Sequence, residues 1–228
     1  MKKPLFYISC PYDTYSGYGA RSRDIIKSIV KTNKYDVKLI PQRWGDTPWG
    51  FCDDHKEWKY LHDLVLPPTL NKTQPDVWMQ ITIPNEFQPA GKYNIGVTAG
   101  IEATICKAEW VQGINRMNET WVSSKFSKQV FDQAKYKQKN QQTGQDMGIL
   151  KVEKPIKVVF EGAKLDIYKK YNNGPKFDLK DIKEDFCFLF VGHWMQGQHG
   201  HDRKNIGVLI KSFCDAFINK KNPPALIL

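Results

Sequence analysis

Two short segments of this chain combine residue types that could bind phosphate groups. Residues 16–19 read Ser-Gly-Tyr-Gly, after an apolar run and directly before a helical pattern. Glycine lets a backbone come close to a ligand, and a helix start offers N–H groups to an anion. Gly17 and Gly19 are therefore candidate phosphate-binding residues. The spacing is not a GxGxxG dinucleotide fingerprint, so a simple tight turn explains these residues equally well.

The second segment contains Arg203 and Lys204, which stand directly before another predicted helix. Arginine offers a planar fork of donors and lysine a point charge, so the pair could clamp a diphosphate. The alternative for this pair is a solvated turn. Glu102 and Ser124 follow predicted strands and are weaker candidates for a cleft, Glu102 as a catalytic carboxylate and Ser124 as a lining residue. Either Ser123 or Ser124 is also placed to cap the helix that follows.

His193, His199 and His201 raise the question of a metal site. Their spacing lacks the helical or knuckle register of strong zinc motifs, and no cysteine stands within ligand spacing of them. The chain also has no Asp-x-Asp sequence and no recognisable hydrolytic triad. We therefore expect no metal, and His193 remains a weak candidate for lining a cleft.

Short apolar runs alternate with amphipathic stretches along the chain, which predicts βαβ units and a mostly parallel sheet. The polar, Gln-rich residues 135–154 predict an insertion without regular structure. Asn, Gly and Pro residues within 168–184 indicate a linker, so we expect a first domain at residues 1–172 and the start of a second at 173–228. The predicted strands are residues 5–10, 36–40, 77–83, 93–98, 117–122, 156–160, 186–191 and 225–228, and the predicted helices are residues 20–31, 56–64, 124–134 and 205–219.

Composition restricts the classes of function. With 41% hydrophobic and 25% charged residues the chain should fold, and its net charge of +10 suits an anionic partner. No repeated pattern of aromatic and arginine residues for base stacking is present, so no nucleic-acid partner is expected, and the alternative of a nucleic-acid-binding protein rests on the charge alone. The apolar run at residues 5–10 is too short for a signal peptide or a membrane span. Five cysteines without a CxxC pair predict reduced thiols in the cytoplasm.

Taken in order, these segments resemble retaining GT-B glycosyltransferases of family 4, also called glycosyl transferases group 1. SGYGARSR resembles the family's first Gly-rich loop and helix. The resemblance continues in YNIGVTAGIEAT, EWVQGINRMNETWVSSKFSKQVF and VVFEGAKLDIY, although Lys164 stands where the family usually has Asp or Asn. The most specific segment is FLFVGHWMQGQHGHDRKNIGVLIKSFCDAF, which is similar to the family's entry into the second domain.

This resemblance implies two Rossmann-like domains, an acceptor-side domain followed by a nucleotide-sugar-binding domain. It implies sugar transfer from a nucleotide-diphosphate sugar to a hydroxyl-bearing acceptor such as a carbohydrate, with retention and without a metal or other cofactor. In the family an arginine and a lysine hold the donor diphosphate. Lys204 matches the lysine, His193 occupies the arginine's place, and Arg203 could substitute for it.

The family's paired-glutamate motif would follow Leu228. The resemblance therefore implies that residues 1–228 by themselves contain only half of a donor site. The alternative is a non-catalytic binding module that keeps the fold and lacks the donor half.

Overall fold

A computed structural model describes residues 2–67, 73–100, 103–139, 142–170, 180–192, 200–202 and 204–228. The chain divides into two compact units, Met1–Lys164 and Leu165–Leu228. The described residues of the first unit include a first 3₁₀ helix at Lys56–Leu64 and a second at Pro84–Glu86. Its α-helices are α1 (Gly17–Lys31), α2 (Phe51–Asp54), α3 (Ala108–Arg116) and α4 (Lys125–Gln133). Its strands are β1 (Leu5–Cys10), β2 (Asp36–Pro41), β3 (Val77–Ile81), β4 (Tyr93–Thr98), β5 (Glu119–Val122), β6 (Lys135–Lys139), β7 (Asp146–Lys151) and β8 (Ile156–Val158).

Six of these strands form one parallel sheet in the order β2-β1-β3-β4-β5-β8. Strand β2 lies on one side of β1, and β3, which follows β2 in the sequence, lies on the other side. A parallel bridge between Leu39 and Val65 extends the sheet beyond β2. The predicted Rossmann-like parallel sheet is confirmed, and its strand order reverses between β1 and β3, where open sheets of this type bind ligands.

The alternation of side chains along β1 explains why helices cover both faces of the sheet. Phe6, Ile8 and Cys10 join one hydrophobic cluster, and Tyr7 between them joins the other. The first cluster includes Ile25 and Ile26 of α1 together with Trp58 and Leu61 of the first 3₁₀ helix. The second includes Val111 and Ile114 of α3 and Val130 and Phe131 of α4. Each fully buried aliphatic side chain contributes about 1.5–3 kcal/mol to this arrangement.

Residues 135–154 differ from the prediction, because β6 and β7 form an antiparallel hairpin in which Tyr136 pairs with Leu150. The prediction of an insertion without regular structure is wrong. Tyr136 and Leu150 are half-buried against the second cluster. The Asn115 side chain fixes the hairpin, since its amide donates to the Lys151 carbonyl at 2.8 Å and its oxygen accepts from the Glu153 N–H at 2.8 Å. The hairpin forms with few apolar residues because α3 lies beside it.

Helix α3 was not predicted, because its apolar pattern covers only nine residues. Gly113 in this helix is required by packing. A Cβ atom at this position would lie 1.7 Å from the Pro84 carbonyl oxygen, so only glycine lets α3 lie against the second 3₁₀ helix.

The second unit contains a parallel pair of strands, β9 (Cys187–Leu189) and β10 (Ala225–Ile227), joined by α5 (Ile206–Phe217). Phe188 of β9 contacts Phe213 and Phe217 of α5, with ring centroids 6.1 and 5.9 Å apart. The predicted strand, helix and strand are confirmed with shorter bounds. Within the described ranges of the two units, no helix combines the length and apolar character needed to cross a membrane.

Candidate functional site at the carboxyl edge of the sheet

The loop between β1 and α1 is a closed turn. The N–H and the hydroxyl of Thr14 both donate to the Pro11 carbonyl, at 3.1 and 2.9 Å. Ser16 caps α1, because its hydroxyl accepts from the Gly19 N–H at 2.8 Å. The loop is therefore preformed, and the start of α1 lies at the carboxyl edge of the sheet.

Gly17 and Gly19 serve different purposes. A Cβ atom on Gly19 would lie 2.3 Å from the Thr14 carbonyl oxygen, so this glycine is needed for the loop to close on the helix. A Cβ atom on Gly17 would have no neighbour within 4 Å, and Gly17 is exposed. Of the two candidates, Gly17 is the one that a ligand could approach.

Tyr18, between the two glycines, joins α1 to the end of β4. Its hydroxyl lies 3.0 Å from the hydroxyl of Thr98 and accepts from the Ala99 N–H at 3.1 Å. The half-exposed ring of Trp44 stacks on Tyr18 with centroids 3.9 Å apart. Residues 17–19 and the end of β4, as far as Gly100, therefore lie at one edge of the sheet. Sequence reasoning missed Tyr18 and Trp44 as residues of this edge, although Tyr18 stands in the first turn of the helix after β1 and Trp44 in the loop after β2.

Ser124 follows β5 at the same edge and caps α4, as predicted. Its hydroxyl accepts from the Ser127 N–H at 3.0 Å. The Ser123 hydroxyl donates to the Ala99 carbonyl at 2.8 Å, which ties this turn to the loop after β4. Gly100 has φ +93°, and a Cβ atom there would lie 2.3 Å from the Ser127 hydroxyl. Only glycine fits where these two loops meet.

A buried positive charge lies beneath the loop after β1. One terminal nitrogen of Arg23 donates to the carbonyls of Tyr12 and Thr14, at 2.6 and 2.9 Å. The guanidinium carbon lies 3.4 Å from the centroid of the Phe51 ring. Burial lowers the pKa of Arg23, but arginine keeps its proton in proteins. Arg23 therefore contributes positive potential to the carboxyl edge.

Of the remaining candidates, Glu102, His193 and Arg203 lie outside the described residues. Lys204 is exposed in the second unit, directly before the Asn205 cap of α5. The buried carboxylate of Asp202 accepts from the Lys204 N–H at 2.8 Å and from the Ile206 N–H at 2.7 Å. An anion at this helix start must therefore be bound by side chains, because Asp202 already uses two of the amides. An aspartate at a helix start is a common capping residue, and this signal was available in the sequence.

Asp13, Cys52 and His62 form a group of possible metal ligands, with one ligand atom from each residue within 4.8 Å of the others. Asp13 and Cys52 are buried, and the Asp13 carboxylate accepts from the Cys52 N–H at 2.8 Å. Burial, followed by a hydrogen bond to Asp13, raises the pKa of the Cys52 thiol to about 12. A thiol that holds its proton is a poor nucleophile. The prediction of no metal was based on the three histidines near residue 200 and on the lack of an Asp-x-Asp sequence, and it did not consider Asp13, Cys52 and His62.

The carboxyl edge thus brings together the exposed start of α1, an aromatic pair, a second capped helix start and a buried cation. This arrangement suits a polar or anionic ligand in a parallel α/β sheet. Comparisons with known proteins found no match to this chain among family models, curated protein sequences or solved structures.

Proposed function

We propose that this chain belongs to a GT-B-type glycosyltransferase that transfers a sugar from a nucleotide-diphosphate sugar to a hydroxyl-bearing acceptor. In this proposal the first unit binds the acceptor, and the second unit begins the nucleotide-sugar site. Transfer proceeds with retention and without a metal ion. The observation that carries the proposal is the carboxyl edge of the six-stranded sheet, where the loops after β1, β4 and β5 meet.

The aromatic pair of Tyr18 and Trp44 is the proposed acceptor surface. Its rings stack at 3.9 Å, and the hydroxyl of Thr98 lies 3.0 Å from the Tyr18 hydroxyl. A flat apolar surface beside a few fixed polar groups is the usual composition of a small-molecule site. The exposed Gly17 lets a ligand approach the start of α1, where the helix dipole and Arg23 favour negative charge.

The proposed donor site lies at the start of α5. Lys204 is exposed there, and Arg203 precedes it in the sequence. Positive side chains at this point would neutralise the diphosphate as it leaves the sugar, which is electrostatic stabilisation of the transition state. Because Asp202 already accepts from two amides of this helix start, the side chains must supply most of the attraction.

Donor screening with Lys204→Ala tests this assignment. We expect Lys204→Ala to weaken nucleotide-diphosphate-sugar binding by about 1.5–3 kcal/mol, the size of a hydrogen bond to a charged group. The matched control is Lys211→Ala on the same helix, which removes an equal charge from an exposed ion pair with Asp215. Thermal shift and calorimetry should be run on the protein expressed from its full reading frame. Equal donor affinity in the two variants would contradict the diphosphate assignment.

A further inference from the structure

A group of three potential metal ligands joins two segments that are distant in the sequence. Asp13 belongs to the loop after β1, Cys52 to α2, and His62 to the 3₁₀ helix that follows. One ligand atom from each residue lies within 4.8 Å of the others. We propose that Asp13, Cys52 and His62 bind one divalent metal ion of the zinc type, which fixes residues 51–64 to the loop after β1.

The ligand chemistry favours zinc over harder cations. Thiolate sulfur, imidazole nitrogen and carboxylate oxygen are the three donor types of protein zinc sites, whereas Mg²⁺ and Ca²⁺ take oxygen ligands. Zinc bonds of about 2.0–2.3 Å place tetrahedral ligand atoms roughly 3.3–3.6 Å apart. The His62 side chain is exposed, so the proposed site requires it to rotate toward the two buried ligands.

The backbone already holds two of the ligands in place. The Asp13 carboxylate accepts from the Cys52 N–H at 2.8 Å, and the Asp13 carbonyl accepts from the Phe51 N–H at 3.2 Å. The ring of Tyr12 packs edge-on to the ring of His62, with centroids 6.2 Å apart. An ion would therefore bind to a group of side chains that the fold has already assembled.

Asp53 supplies the outer partner that metal-bound histidines usually have. One of its carboxylate oxygens lies 3.4 Å from Nε2 of His62. The thiol proton leaves to solvent when the ion binds, since the metal ligand is the thiolate. The formal charges of a Cys52 thiolate, Asp13, Arg23 and a divalent ion then sum to +1, and the exposed Asp53 carboxylate beside His62 balances this charge.

The same three residue types also occur in cysteine-dependent catalytic centres. Cys52 is fully buried, however, and a catalytic cysteine needs access to substrate. An ion held by these three protein ligands, two of them buried, would complete a tetrahedral site with one water molecule. Its role in holding the two segments together is compatible with a metal-independent reaction elsewhere on the carboxyl edge.

Cobalt substitution tests the site, because Co²⁺ bound to a thiolate gives an ultraviolet charge-transfer band. We expect the metal-free protein to bind one equivalent of Co²⁺ with this band, and Zn²⁺ to displace it and raise the melting temperature. Cys52→Ser should abolish the band. His62→Ala changes a partly exposed side chain and should keep the fold, yet weaken Zn²⁺ binding by more than the roughly 10–100-fold that loss of an outer partner costs. Asp53→Asn should weaken binding by about tenfold.

Matched controls are His201→Ala and Cys214→Ser, which change an exposed histidine and an exposed cysteine in the second unit. Both controls should retain the wild-type band and affinity. The proposal is overturned if the folded wild-type protein gives no thiolate band, or if Zn²⁺ affinity is unchanged in His62→Ala. A band lost in Cys214→Ser and kept in Cys52→Ser would also overturn it.

Discussion

The two ends of the six-stranded sheet use polar residues in opposite ways. At the amino ends of β4, β5 and β8, the buried Glu119 carboxylate accepts from the Tyr93 hydroxyl at 2.8 Å, from the Trp121 indole at 2.6 Å and from the Lys157 ammonium at 2.5 Å. At the carboxyl ends, the hydroxyl of Tyr18, in the first turn of α1, hydrogen-bonds with the hydroxyl of Thr98 at the end of β4, and Gly17 beside Tyr18 is exposed.

This difference shows which end can bind a ligand. At the amino end, the Glu119 carboxylate accepts hydrogen bonds from three donors of the same chain. This network therefore stabilises the fold. The carboxyl edge contains loops, helix starts and half-exposed aromatic rings, so its polar groups are positioned without being fully enclosed. Parallel sheets impose this asymmetry, because helix N-termini follow the carboxyl ends of strands.

The largest loss of stability is expected from a substitution in the loop that shapes the carboxyl edge. Gly19→Ala forces a Cβ atom against the Thr14 carbonyl, so we expect a loss of about 2–3 kcal/mol in the free energy of unfolding. Gly17→Ala is the matched control, with open space at its Cβ position, and should be neutral or stabilise by about 0.5 kcal/mol. Urea unfolding measures both, and equal losses would mean that the loop is not closed on α1 in this way.

The amino-end network should give the next largest effect. Glu119→Gln removes the charge that Lys157 and two other donors share, and we expect a loss of about 1–2 kcal/mol. The control is Asp36→Asn, which breaks the more exposed ion pair with Lys38 and should cost under about 1 kcal/mol. If the two variants lose equal stability, the network at Glu119 is no stronger than a surface pair.

The same network predicts a dependence of stability on pH. Burial acts to raise the pKa of Glu119, but the hydrogen bonds from Lys157, Trp121 and Tyr93 outweigh it and hold the pKa below the ordinary 4.5. The stabilisation is therefore complete above pH 4.5 and is lost as the pH falls through the folded-state value. Wild type should lose more stability than Glu119→Gln on acidification below that pH, which denaturant titrations at several pH values measure.

A smaller effect is expected at the start of α4. Ser124→Ala removes the cap on the Ser127 N–H, and such losses typically cost about 1 kcal/mol. Ser28→Ala inside α1 is the control, because its hydroxyl bonds only to a carbonyl of its own helix, and it should change stability by less than about 0.5 kcal/mol. A Ser124→Ala variant as stable as wild type would show that the cap does not hold this turn.

The smallest stability effects compare one tyrosine from each end of the sheet. Tyr18→Phe removes the hydroxyl beside Thr98, and Tyr93→Phe removes the hydroxyl that donates to Glu119. Each should cost about 0.5–1 kcal/mol. Only Tyr18→Phe should also lower sugar transfer, measured as kcat/KM for the acceptor in the protein expressed from its full reading frame. Equal transfer rates in both variants would remove Tyr18 from the proposed acceptor surface.

The amino-acid sequence by itself determined the strands of the parallel sheet and the helices α1, α4 and α5. Their signals are local: apolar runs for buried strands, helical spacing of Ile25, Ile26 and Ile29, and a serine before α4. The class of the sheet also follows locally, because a helix between two strands serves as the crossover that joins parallel neighbours.

Only the tertiary structure decided which polar residues meet. Tyr18 reaches Thr98 across 80 positions, and Asp13 reaches Cys52 across 39. The β6–β7 hairpin likewise depends on α3, which binds it through Asn115. Such contacts are set by loop conformation and by packing against distant elements, and neither leaves a periodic pattern in the sequence. For this reason the sheet was predictable from local patterns, whereas the residues of its carboxyl edge were only partly so.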